Sequence, residues 1–278
     1  MKSKTLALIL LCYAASLGAK VKLPALVSDN MVLQQQTEVK LWGTATPKAE
    51  VRVTPSWNGQ TSTCRADKDG RWLLAVKTPA AGYTPYEITF DDGEKTTLTN
   101  VLIGEVWLAS GQSNMEMPLK GFAGCCIMNG VDDIIASAEN KGVRMFTVPK
   151  HQTYEPQTDC EGSWNLSSIE TAPDFSATAY FFGNLLQQSL DVPVGLIHCS
   201  WSMSKIEAWM DKETLSHFSE VTLPDTNQDK FEWAAGTPTL LWNAMVNPWK
   251  GFPVKGVIWY QGEANTPDPA LYNCLLYT

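Results

Sequence analysis

The sequence predicts an α/β protein: a three-layer α/β/α domain built on a parallel sheet, preceded by an antiparallel β-sandwich. Three observations carry that expectation. Between residues 38 and 90, short alternating runs (Val39, Leu41; Val51, Val53; Trp72, Leu74, Val76; Tyr86, Ile88, Phe90) are separated by turn formers at Thr46-Pro47, Asn58-Gly59, Asp69-Gly70, Pro79 and Gly82. Strands at that spacing with such turns build an antiparallel sandwich. After Val101 the alternation gives way to continuous apolar runs at 101–108, 143–148, 192–199 and 254–261, the pattern of strands covered on both faces. Helical patterns lie between them, as in Ala177, Phe181, Leu185 and Phe182, Leu186, Leu190 at i, i+4 spacing behind a cap at Asp174 or Ser176. Strands alternating with helices imply a parallel sheet with helices on both faces. The expected organisation is a leader at 1–19, the sandwich at 20–98 and the α/β domain at 99–278.

The leader follows from the first residues. Lys2 and Lys4 precede an apolar run from Leu6 to Leu11, and Ser16-Leu17-Gly18 places small residues where a signal peptidase reads them. The run is shorter than the roughly 20 residues a spanning helix needs, so export, to the periplasm or outside the cell, is expected and membrane insertion is not. Cys12 goes with the leader. Cys64, Cys125, Cys126, Cys160, Cys199 and Cys274 remain, and a domain of this size can be held by its core without disulfides, so free buried thiols compete with bridges. With no Cys-x-x-Cys pair and only 3 histidines, neither a metal nor any other cofactor is called for.

Composition excludes some partners. The formal charge is −8, and losing Lys2 and Lys4 with the leader takes it to −10. Such a surface disfavours nucleic acid and anionic membranes. An anionic sugar would need local cations, for which Arg144, Lys120 and Lys205 are the candidates.

The chemistry concentrates in two places. The apolar stretch Gly104-Glu105-Val106-Trp107-Leu108-Ala109-Ser110 runs into Gly111-Gln112-Ser113-Asn114-Met115, which puts Ser113 where a buried strand opens into a tight turn. A serine becomes a nucleophile when a turn exposes it, a base takes its proton and N–H donors receive the developing oxyanion. Ordinary turn chemistry explains the same residues. About 150 residues on, the run 254–259 ends in Tyr260-Gln261-Gly262-Glu263-Ala264-Asn265, a second turn rich in amides and carboxylate. Ligands of open α/β sheets collect at the carboxyl ends of strands, where these two turns can meet.

Gly-Gln-Ser-Asn-Met with Glu116-Met117-Pro118-Leu119, and Trp259-Tyr260-Gln261-Gly262-Glu263 with Asn265, resemble the sialate O-acetylesterase family, a branch of the SGNH hydrolases. The similarity continues through Leu23 to Gln35, Asp174 to Gly183, Val192 to Ile197 and Ile206 to Met210. The resemblance implies an SGNH-hydrolase-like domain and an O-acetylated carbohydrate as substrate. In its mechanism Ser113 attacks the acetyl carbonyl, and the oxyanion is received by the Ser113 N–H, a backbone N–H of the second motif and a side-chain amide of the third. Gln261 is the first choice for that amide, with Asn265 the alternative. Gln112, Asn114 and Glu263 are expected to support the turns.

Two departures from the family pattern matter. Where the family usually reads Ser-Trp-Gly-Gly-Thr, this chain has Ser200-Trp201-Ser202-Met203-Ser204. Ser202 can still donate an N–H to an oxyanion, but the positive φ that glycine permits is harder for Ser202 and Met203. The family also supplies a catalytic histidine from an Asp-x-His-Pro loop near its C-terminus, and no such tetrad occurs here. His198 could approach the site from its strand, although local hydrogen bonding is the commoner role, and His151 and His217 read as surface residues. The expectation is a C-terminally truncated esterase domain, nearly inactive because it lacks its base. A noncatalytic carbohydrate-binding relative and an acetylxylan esterase are the alternatives.

Overall fold

The computed structural model describes residues 20–225 and 233–278, so the expected leader lies outside the described residues. Eleven strands appear: β1 (Val32–Gln34), β2 (Glu38–Thr44), β3 (Glu50–Pro55), β4 (Ser62–Arg65), β5 (Arg71–Lys77), β6 (Gly82–Asp91), β7 (Lys95–Gly111), β8 (Val143–Thr147), β9 (Trp164–Leu166), β10 (Val194–Ser200) and β11 (Gly256–Tyr260). The helices are α1 (Ser113–Glu116), α2 (Gly130–Ala136), α3 (Ala177–Leu190), α4 (Lys212–Leu215) and α5 (Pro269–Leu276), with short 3-10 and π turns between them.

Strand β7 organises everything. Its first part pairs antiparallel with β6, from Lys95↔Asp91 to Ile103↔Gly82, and its second part pairs parallel with β1, β10 and β11. One nine-stranded sheet therefore crosses the 98/99 boundary without a break, in the order β4-β3-β6-β7-β10-β8-β9, with β1 and β11 also on β7. The expected sandwich is realised in part. Its second layer is only the β2–β5 pair, whose Val39, Leu41, Trp72, Leu74 and Val76 pack on Val51, Val53, Ile88 and Phe90 in a shared core.

Strands β8 and β10 and the parallel part of β7 are covered on both faces, whereas β11, expected from its apolar run to be buried, is an edge strand that leaves Val257 and Tyr260 exposed. On one face Val143, Met145, Leu196 and Ala109 meet Tyr180 and Ala179 of α3, together with Met115 and Phe175. On the other, Phe146, Ile197 and Cys199 meet Trp209, Leu241, Met245 and Trp249 from the turns at 206–209 and 242–249. Helix α3 is capped by Ser176, whose Oγ accepts the Ala179 N–H at 3.1 Å. Its buried face differs from the expected stripes: Ala179, Tyr180 and Gly183 are buried, while Phe181, Leu185 and Leu190 are exposed. The reason is close approach, since a Cβ on Gly183 would lie 2.6 Å from the Leu196 side chain on β10. The six cysteines among the described residues are all free.

Candidate active site

Gly111 ends β7 paired with Ser200 on one edge and Tyr260 on the other. The turns at 112–116, 201–204 and 261–265 are thereby brought together at the carboxyl ends of three parallel strands. Gly111 is itself required: its φ is +146°, and a Cβ there would lie 2.1 Å from the Tyr260 carbonyl oxygen. The chain then turns into α1, with Ser113 at its first position, half-buried. Among the described residues no hydrogen bond reaches the Ser113 hydroxyl.

Amides tie the first turn to the third. The buried Gln112 accepts the Gly262 N–H at 3.2 Å and the Ala264 N–H at 3.3 Å through Oε1. Asn114 Nδ2 donates to Glu263 Oε1 at 2.7 Å. Gln261 donates from Nε2 both to the Ser204 carbonyl at 2.9 Å and to Asn265 Oδ1 at 2.7 Å, leaving its buried Oε1 without a partner. A primary amide has two N–H bonds, so both of Gln261's are engaged. Asn265 is buried, accepts the Ile206 N–H at 3.0 Å as well, and donates to Glu207 Oε2 at 2.9 Å.

A carboxylate holds the second turn. Glu116 accepts the Ser202 N–H at 2.5 Å through Oε2 and the Lys150 ammonium at 2.6 Å through Oε1. Lys150 also lies 5.7 Å from the Trp201 ring centroid. The Ser202 N–H expected at the oxyanion is thus occupied by Glu116 in this structure. Met203 takes the left-handed conformation, φ +60°, at a position where the family reads glycine, and its side chain is exposed. Glu116, Lys150 and Glu207 were not singled out by sequence. Only Glu116, inside the first motif, and Glu207, inside the matching segment 206–210, carried any signal.

Among the described residues no histidine hydrogen-bonds Ser113. His198 Nε2 shares a 2.7 Å hydrogen bond with Ser200 Oγ, and its ring meets Phe175 edge-on at 5.5 Å. Burial lowers its pKa to about 4, the Lys150 charge pushes the same way and the Met115 carbonyl opposes them. His151 and His217 are exposed, as expected of surface residues. The cations proposed for an anionic sugar are engaged elsewhere. Arg144 is buried and donates to the Asn30 carbonyl at 3.1 Å and Asn100 Oδ1 at 3.2 Å, Lys120 pairs with Asp174, and Lys205 lies 5.6 Å from the Trp233 ring centroid.

A serine at a strand-end turn is thus cross-braced by two further turns at one end of a parallel sheet, and comparison with known proteins gives the class as carbohydrate esterase. Residues 103–274 match the family described as carbohydrate esterase, sialic acid-specific acetylesterase. Sialate O-acetylesterases of Pongo abelii and Homo sapiens are each 30% identical over 281 residues, covering 93% of this chain and 52% of theirs. A crystal structure of a carbohydrate acetylesterase from Xanthomonas citri superposes with a TM-score of 0.77 at 37% identity, over 88% of this chain and 52% of that one. The chain belongs to the sialic acid-specific acetylesterase family of carbohydrate esterases, and it spans about half the length of the relatives it matches.

Proposed function

We propose that the chain forms the nucleophile-bearing part of an exported carbohydrate O-acetylesterase, in which Ser113 attacks the acetyl carbonyl and becomes acetylated. The observation that carries this reading is the Ser113 hydroxyl, free of hydrogen bonds at the head of α1 and framed by turns that hold one another in place. The Ser113 N–H has no intrahelical acceptor at the first position of its helix and is the first oxyanion donor. Gln261 can add its amide by exchanging the Ser204 carbonyl or Asn265 Oδ1 for the oxyanion, and Ser202 its N–H by releasing Glu116. Glu263, hydrogen-bonded to Asn114, braces the turn and is not the base. The SGNH-like reading of the parallel sheet and the antiparallel reading of its N-terminal arm belong to the same proposal.

The base is the missing element among the described residues. His198 is buried, neutral and turned to Ser200, while His151 and His217 are exposed. Residues 1–278 alone are therefore expected to turn over acetyl esters slowly. Serine hydrolases that lose a triad member keep only the weak catalysis of the oxyanion hole and binding. A noncatalytic carbohydrate-binding protein is the second reading, favoured by the Glu116 contact that occupies the Ser202 N–H.

The test is hydrolysis of p-nitrophenyl acetate, O-acetylated sialic acid and acetylated xylan by residues 1–278 and by the chain with any coding sequence that follows Thr278. The expected result is slow release by the first and faster release by an extension carrying Asp-x-His. Sialic acid against xylan then reports the substrate. Ser113→Ala should abolish both activities; hydrolysis that survives this change sinks the nucleophile assignment. No turnover by any form would favour the binding reading.

A further inference from the structure

On the β2–β5 pair, the side opposite the core breaks the polar pattern expected of a solvent-facing strand. Trp42 and Leu73 are directly paired across the two strands there, and Leu73 is 59% exposed. Lys40 precedes Trp42 by two residues, and Arg71 precedes Leu73 by two, so both cations share that face. The segments 158–159 and 247–251 rise beside it and complete a groove of about 710 Å³. The Trp42 ring is fixed at one wall by an edge contact with the buried Phe252, centroids 6.2 Å apart.

Charge in this groove runs against the rest of the molecule. Its lining carries five cationic side chains, Lys22, Lys40, Arg65, Arg71 and Lys250, and two carboxylates, in a protein of net charge −8. One oxygen of each carboxylate is occupied by backbone: Asp67 Oδ1 accepts the N–H groups of Asp69 and Arg71, and Asp159 Oδ1 those of Ala25 and Cys160. Lys22, Lys40 and Arg71 have no ion-pair partner among the described residues. Five cationic side chains against two carboxylates leave the groove with an excess of positive charge, and an anion lying across it relieves the repulsion this creates.

We propose that this groove binds a carboxylate-bearing sugar unit, its pyranose face against Trp42 and its carboxylate on Arg71, with Lys40 on the far side of Trp42 adding to the positive field. An arginine fork suits a carboxylate, and a tryptophan face suits the apolar side of a sugar ring. The volume fits an oligosaccharide segment. The site is built from residues other than those around Ser113, so it holds the glycan without touching the reacting ester. The choice of a sugar as carrier of the carboxylate rests on the esterase reading above.

The test is calorimetric titration of the 278-residue chain with sialyllactose, trigalacturonate and neutral lactose. Binding of an acidic sugar with no binding of lactose is expected, and the two acidic ligands separate a sialic acid from a uronic acid source. Arg71→Glu combined with Lys40→Glu should weaken that binding by about tenfold or more, since hydrogen bonds to charged groups contribute of that order. Trp42→Ala should abolish it, and Ser113→Ala should leave it unchanged. Both groove positions are at the surface, so melting temperature and p-nitrophenyl acetate hydrolysis should not move with the double charge reversal. No binding of either acidic sugar, equal binding of lactose, or binding insensitive to charge reversal overturns the proposal, whatever the esterase assay gives. Equally tight binding of a DNA oligonucleotide lost in the same variant also overturns it, because the groove would then be a general anion patch.

Discussion

The three turns around Ser113 are held by two different kinds of force. Between the first and third turns the buried brace is neutral, the Gln112 amide meeting two backbone N–H groups, with the more exposed bond from Asn114 to the Glu263 carboxylate beside it. The second turn adds a charged brace, the Glu116 carboxylate on the Ser202 N–H with Lys150 beside it, to the neutral bond from Gln261 to the Ser204 carbonyl, and it stands on a buried imidazole. Neutral hydrogen bonds respond weakly to salt and pH, whereas salt screens a carboxylate–ammonium contact and pH acts on a buried histidine. The first and third turns form a fixed frame, and the second is the part that solution conditions can loosen.

The largest expected effect is the pH response of the second turn. Burial holds the His198 pKa at about 4 against an ordinary 6.5, so the unfolded chain takes up the proton first as pH falls. The destabilising contribution of His198 is nil above pH 6.5, grows as pH drops towards 4 and is complete below that, with about 3 kcal/mol lost over the window. Melting temperature followed from pH 7 to 4 measures this, and His198→Gln should flatten the curve. A curve equally steep in the variant would place the titrating group elsewhere.

Breaking the fixed frame comes next. Gln112→Ala leaves the Gly262 and Ala264 N–H groups without their acceptor and opens a cavity, at a cost of about 2 kcal/mol with no salt dependence. Urea denaturation at two salt concentrations tests both parts. Glu116→Gln loses only the charged brace, which is partly exposed, so about 1 kcal/mol is expected, with the difference from wild type shrinking at high salt. If the two variants showed the same salt response, the contrast between the braces would fail.

The frame was more legible in the sequence than the movable turn. Gly111-Gln112-Ser113 and Gln261 to Asn265 follow continuous apolar runs, and local pattern alone marks strand ends with polar turns. Glu116 and Lys150 meet only because β8 and β7 flank β10, a neighbourhood that no local pattern encodes. The same limit explains β7. Residues 95–100 fall between the alternating runs that end at Phe90 and the continuous run that starts at Val101, so the pattern shows a boundary near residue 100 where the strand is unbroken. On α3 the expected stripes are realised in part, Ala177 buried and Phe182 and Leu186 packed on the core but Phe181, Leu185 and Leu190 exposed, since the Gly183 approach to Leu196 depends on a partner 13 residues downstream.

The smallest effect sharpens the comparison most. Met203 sits at φ +60°, a conformation costing an L-residue about 1 kcal/mol or more, and its side chain is 65% exposed, so little packing offsets the strain. Met203→Gly removes the strain and adds chain entropy to the unfolded state, for a net gain of about 0.5 kcal/mol. A small rise in melting temperature is therefore expected, with the Glu116 brace and its salt dependence retained. A fall would mean that the Met203 side chain holds the second turn through packing, and that this turn is fixed by more than charge.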